Sequence, residues 1–164
     1  MRAPFRSPIL VILVSALLAS RCGPTVDLTK GLRIEAVSTG WSDAGIVDGK
    51  NKLVPTVSFR IKNVSDQKLA GLQMMASFFR INDTSSEWGN NLLTVVGSGG
   101  LASGATTAVL TMKSPLGYTG SEPRAEMLEN SRFVDATVKL VAKYGSVQWT
   151  HVLQVPISRQ LITP

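Results

Sequence analysis

The chain is short of several things that chemically active proteins commonly use. Its 164 residues include one cysteine, Cys22, and one histidine, His151. A single cysteine excludes an intrachain disulfide framework, and with one histidine it excludes a self-contained zinc site of the Cys/His type. The same scarcity removes most histidine-based catalytic triads and histidine-rich metal centres. Aromatic residues are only 6% and charged residues 17% of the chain. No apolar run reaches the roughly 20 residues that span a bilayer comfortably. Yet 44% of the residues are hydrophobic and the fourteen glycines have no strict period. That composition is globular, neither disordered nor collagenous, and the length allows one domain.

What is present begins at the N-terminus. Arg2 and Arg6 precede an eleven-residue stretch, Ile9 to Ala19, interrupted only by Ser15. A basic start, a short apolar run and the small residues Ala19 and Ser20 read as a secretory signal peptide. The expected division is a leader over 1–22, a tether over 23–31 and a β-sandwich domain over 32–164. Leu17-Leu18-Ala19-Ser20-Arg21-Cys22 resembles a bacterial lipoprotein signal, although Arg21 occupies the position where a small residue is expected. Three outcomes stay open: lipidation of Cys22, cleavage near Ser20 by the general signal peptidase, and an uncleaved anchor. All three place the protein outside the bacterial cytoplasm, in the periplasm, secreted, or on the cell-envelope membrane.

The leader also distorts the charge. Arg2, Arg6 and Arg21 supply half of the formal net charge of +6, and no acid precedes Asp27. The remaining cations are scattered singly, without the cluster that follows a phosphate backbone. Nucleic acid is therefore not an expected partner, and only a modest attraction to anionic lipid or glycan surfaces remains.

Alternation of apolar and polar residues dominates the rest. Leu32, Ile34 and Ala36 alternate with Arg33, Glu35 and Val37. Ser42 to Lys52 reads as a loop or hairpin connection. Val57, Phe59 and Ile61 form the clearest buried face, ended by the turn Asn63-Val64-Ser65-Asp66. Leu69 to Ile81 fits both helical and strand spacing; its aromatic pair and preceding turn favour a strand with Leu72, Met74, Ala76 and Phe78 inward. Asn82 to Asn91 reads as a polar loop and Leu92 to Gly97 as a strand. After the turn Ser98 to Gly104, alternation resumes through Thr106, Ala108, Leu110 and Met112. Ser114 to Arg132 reads as a loop with a turn or two of helix at Arg124 to Asn130, Met127 and Leu128 covering a sheet edge. Two strands follow: one with Val134, Ala136, Val138, Leu140, Ala142 and Tyr144 on a face, the other with Val147, Trp149, His151, Leu153 and Val155. The expected fold is all-β: an immunoglobulin-like β-sandwich of about seven strands, with one short helix or loop insertion near 114–132.

Val57 to Phe79, the turn Leu101-Ala102-Ser103-Gly104 and the strand Val134 to Tyr144 resemble FxLYD-type and related bacterial immunoglobulin-like exported domains. The resemblance covers Leu32 to Tyr144. Phe78-Phe79-Arg80-Ile81-Asn82 stands where that family carries its Leu-Tyr-Asp signature. The resemblance implies an exported module without known catalytic residues.

Motifs for chemistry are sparse. Glu122, Glu126 and Glu129 would share one side of a helix, but with Arg124 and Arg132 nearby they read as a solvated face. Asp43 and Asp48 lack the alternate oxygen spacing of a calcium loop. Gly97 to Gly100 is followed by no Lys-Ser or Lys-Thr pair, so it is no phosphate cradle. His151 shares a phase with Trp149 and Leu153 and reads as packed or interfacial. Asn63-Val64-Ser65 and Asn82-Asp83-Thr84 match the glycosylation pattern but read as turns. Trp41, Trp88 and Tyr118 fall in or beside expected loops, where aromatics make protein or carbohydrate contacts. No catalytic, cofactor-binding or metal-ligating residue is expected. The expected function is a non-catalytic cell-envelope interaction module, lipid-anchored if Cys22 is modified, that binds an envelope protein or surface component. The alternative is a periplasmic protein holding a glycan or hydrophobic ligand with Trp41, Trp88 and Tyr118.

Overall fold

Strict alternation sets the centre of each layer. In the computed structural model, which describes residues 26–145 and 148–162, Val57, Phe59 and Ile61 are fully buried, as are Leu72, Met74, Ala76 and Phe78. Ala136, Val138, Leu140 and Ala142 complete the facing surface. The expected leader and Cys22 lie outside the described residues, and no described helix is long and apolar enough to cross a membrane.

The chain runs α1 (Leu28–Gly31), β1 (Leu32–Val47), β2 (Lys50–Asn63), β3 (Leu72–Arg80), β4 (Asp83–Val96), β5 (Leu110–Lys113), β6 (Tyr118–Gly120), α2 (Arg124–Glu129), β7 (Ala136–Tyr144), β8 (Thr150–Pro156) and β9 (Leu161–Ile162). One sheet has the order β5-β2-β1-β9 with β6 also paired to β2, and the other has the order β4-β3-β7-β8. All pairings are antiparallel except β1 with β9. The two sheets bury one apolar core between them, the immunoglobulin-like layering expected, with nine strands rather than about seven. The helix falls within the expected insertion, and Met127 and Leu128 are its buried residues.

Three local expectations change and one left open is resolved. The stretch read as a tether is structured from Val26 onward. Asp27 accepts from the Thr29 amide to cap α1, and Val26 and Leu28 join the core. The loop or hairpin connection expected over Ser42 to Lys52 is a hairpin, most of it strand: β1 and β2 pair up to Val47 opposite Lys50. Only Asp48 and Gly49 turn, with φ of 50° and 74°. Two residues with positive φ form the hairpin turn whose twist matches its strands, and Asp-Gly is a favoured pair for it. The loop expected over Asn82 to Asn91 is the first half of β4, which pairs with β3 along its length. Finally, Ala105 to Met112 lies beside β2 but is regular only from Leu110. Before that, Thr107 donates its amide to Ile61 and its hydroxyl oxygen accepts the Ile61 amide, a side chain substituting for a ladder carbonyl.

Asn63, where β2 ends, is fully buried and fully engaged. Its Nδ2 donates to the Gln67 and Leu101 carbonyls at 2.7 and 2.9 Å. Its Oδ1 accepts from the amide and hydroxyl of Ser65. It is a turn residue, as expected, and joins the Asn63–Gln67 turn to the Leu101 loop.

Candidate functional site

Trp41 lies in β1, Trp88 in β4 and Tyr118 in β6, so the three aromatics expected on loops are all carried by strands. They do come together. The Trp41 and Trp88 rings stand 6.0 Å apart, and Phe133, in the loop after α2, packs edge-on against Trp41 at 4.5 Å. Tyr118 meets the other side of Phe133 at 4.9 Å. Each such pair is stabilising by about 1 kcal/mol beyond the area it buries. Cations flank the seam: the Arg80 guanidinium sits 5.2 Å from the Trp88 ring centre at one end, and that of Arg159 5.2 Å from Phe133.

This seam corrects the reading of Trp41 as a contact residue. Its side chain is fully buried, because the chain around it continues as strand and is covered by β9, which pairs at Trp41 and Ser42. A Cβ at neighbouring Gly40 would meet Ile162 and the Gln160 carbonyl at under 3 Å, so glycine is what admits β9. The indole N–H of Trp41 has no hydrogen-bond partner among the described residues. Trp88 and Tyr118 are half-buried. Trp88 lines a shallow depression of about 170 Å³ with Arg80, Asp83, Ser86, Glu87 and Leu116. The Ser85 hydroxyl bonded to Asp83 holds that carboxyl below its ordinary value.

The other singled-out residues separate. Glu122 accepts from Asn130 Nδ2 and lies before α2, while Glu126 and Glu129 are exposed on it. Asp43 accepts the Gly45 amide and forms an ion pair with Arg124 Nε at 2.7 Å, and the guanidinium beside it holds its carboxyl below the ordinary value. Asp48 is a turn residue. Among the described residues no three His, Cys, Asp or Glu side chains cluster to hold a metal.

His151 is exposed, not packed. The cause is a bulge: Leu140 faces Leu153 but Val141 faces His151, so Val152 is the extra residue and the phase flips. Trp149 and His151 consequently lie outward, and Lys143 Nζ comes within 5.9 Å of the Trp149 ring centre.

A further surface carries no motif and was missed in the sequence. β4 is the edge of its sheet, and no described strand pairs with its far side. Its residues are mostly exposed, including Leu92 at 56% and Leu93 at 37%. From Trp88 through Met112 the sequence has no Asp, Glu, Lys, Arg or Pro. That run forms β4 from Trp88 to Val96 and continues into β5, the adjoining edge of the other sheet, just before which Val109 is 53% exposed. Asn91 Nδ2 donates to the Lys113 carbonyl and links the two edges. Edge strands in monomeric proteins are commonly guarded by charge or proline. The available signal was the absence of charge, which the search for motifs passes over.

No protein-family model matches the chain, and no curated protein matches it. Among solved structures, the Northeast Structural Genomics Consortium target SoR45 is similar at 16% identity, over 79% of this chain and 86% of that one, with a TM-score of 0.43. The ligand binding region of Serine-glutamate repeat protein A (SgrA) of Enterococcus faecium is similar at 12% identity, over 81% of this chain and 98% of that one, with a TM-score of 0.35.

Proposed function

We propose that the chain is an exported, non-catalytic interaction module of a bacterial cell envelope, and that it docks polypeptide along the open edge of β4. The observation that carries the reading is the exposed edge of β4, free of charge and proline from Trp88 to Val96, beside the short β5 edge of the other sheet. Unpaired N–H and C=O groups along an edge are a template for strand addition, with neighbouring side-chain positions supplying selectivity. The signal-like leader supports export, and Cys22 would supply an anchor if lipidated. Intact-mass measurement of membrane-extracted protein decides that point: a diacyl-modified Cys22 supports the anchor and a free N-terminus at Arg21 removes it.

Docking is tested by placing a photo-crosslinking amino acid at Leu92 or Val109 in the full-length protein and irradiating whole cells. Polypeptide adducts in the envelope fraction are expected from both positions, and none from exposed Glu126 on α2. An absence of adducts at Leu92 and Val109 would sink the reading.

A further inference from the structure

We infer that the strand taken by β4 is β4 of a second copy of this chain. Two molecules join antiparallel about a twofold axis at Leu92, and their four-stranded sheets become one of eight. The inference rests on the edge-docking reading above and names its partner.

Charge is the first argument. A chain of net positive formal charge repels its own kind wherever charged flanks meet. The run from Trp88 to Met112 is the longest uncharged stretch in the sequence, so along it two copies approach without facing like charges. An edge built to select an acidic or basic peptide would carry the opposite sign, and from Trp88 to Val96 this one carries neither. What complements a neutral, extended, partly apolar edge is a neutral, extended, partly apolar strand, which is what β4 itself is from Trp88 to Val96.

Register is the second. β4 pairs with β3 without interruption from Gly89 to Thr94, and its irregularities lie outside that stretch. For two sheets to continue with their outer faces on one side, residues directly opposite must share a face, so the axis passes through a residue and not between two. With Leu92 at the axis, Leu92 meets Leu92, Asn91 meets Leu93 and Asn90 meets Thr94 of the second copy. Glu87 then stands opposite Gly97, a residue without charge. Leu92 lies in the same row as Met75 and Val141, its partners across the sheet. The joined sheet would therefore carry one apolar row through the axis, and its most exposed member would be covered. An isologous contact of this kind closes as a dimer and does not propagate. Pairing through a single edge is small, at or below about 1,200 Å² in total, so the dimer dissociates on dilution.

Sedimentation of the purified full chain over a wide concentration range tests the inference. A monomer–dimer equilibrium is expected, and Leu92→Lys, a change at an exposed position, is expected to shift it to monomer with the melting temperature of dilute protein unchanged. Register is read separately in a Cys22→Ser background. Leu92→Cys places two thiols opposite each other, within the Cα separation a disulfide requires, and is expected to form oxidised dimer. Thr94→Cys leaves the two cysteines about 13 Å apart along the strands and is expected to form none. A wild type that stays monomeric, a dimer indifferent to Leu92→Lys, or equal cross-linking at both positions overturns the inference. If photo-adducts at Leu92 in cells contain a different polypeptide while the pure protein stays monomeric, the second copy is wrong and edge docking stands. If neither experiment yields an adduct or a dimer, both are wrong.

Discussion

Asn63 shows how one residue holds two distant turns. Its amide reaches the Gln67 and Leu101 carbonyls, while its main-chain N–H donates to the Ala105 carbonyl and its carbonyl accepts from Gly104. The main-chain bonds survive truncation of the side chain; the side-chain bonds do not. Asn63→Ala leaves two acceptors and the Ser65 donors searching for partners in a buried place, which costs about 3 kcal/mol. Urea unfolding should show a lowered midpoint with an unchanged slope. The glycosylation pattern at this residue has no free amide to offer in the folded chain. Sequence alone placed Asn63 correctly in a turn, because short polar side chains satisfy turning backbone. It could not show that the residue bonded across thirty-eight positions to Leu101.

At the scale of elements, the β1–β2 hairpin and β4 mark where pattern reading succeeds and fails. Strands buried on one face, such as β2, β3 and β7, advertise themselves by period-two alternation, and the inward residues at their centres were readable, though Leu53 near the start of β2 was not. β4 has no such period at its start because Asp83 to Glu87 are exposed on both faces, so Asp83 to Asn91 looks like a loop. The second half of β1 is masked in another way, by glycines and small polar residues. Its decisive signal was the two-residue turn Asp48-Gly49. A Cβ at Gly49 meets nothing within 4 Å, so the cost of a side chain there is the φ of 74° alone. Gly49→Ala is therefore expected to lower stability by about 1 kcal/mol. Gly97→Ala, at a glycine equally open but without positive φ, should leave the melting temperature unchanged. In β8, the single extra residue Val152 reversed the expected faces, and nothing in the local pattern announces a bulge.

For the molecule as a whole, the aromatic seam and the Arg159 clamp fasten the two sheets to the loop after α2. Arg159 donates Nε to Asp135 Oδ1 at 2.6 Å and Nη2 to Oδ2 at 2.9 Å. It also donates to the Leu128 and Phe133 carbonyls. The hydrogen bond from Arg159 holds the Asp135 carboxyl below its ordinary value, partly opposed by desolvation. A carboxylate depressed on folding stabilises the folded state above its unfolded pKa of about 3.9. That contribution fades as pH falls through the lower folded value. Asp135→Asn should lower the melting temperature at neutral pH, and the gap from wild type should close in acid. With both side chains more than a third exposed, the neutral-pH effect is about 1 kcal/mol or less. A gap that persists unchanged in acid would assign the loss to packing. The three aromatics chosen from the sequence do belong together, but Trp41 lies fully inside the grouping, because tertiary pairing, invisible in composition, buried it.

The contact of β9 with β1 has a consequence for how the molecule is made. Thr39 and Gln160 are hydrogen-bonded across 121 positions, and Trp41 takes its amide partner from the Gln160 carbonyl. A nascent chain released N-terminus first therefore holds its earliest long strand ready with one flank unclaimed until Gln160 leaves the ribosome. Pairing of β9 with β1 therefore follows synthesis of every strand from β2 to β8.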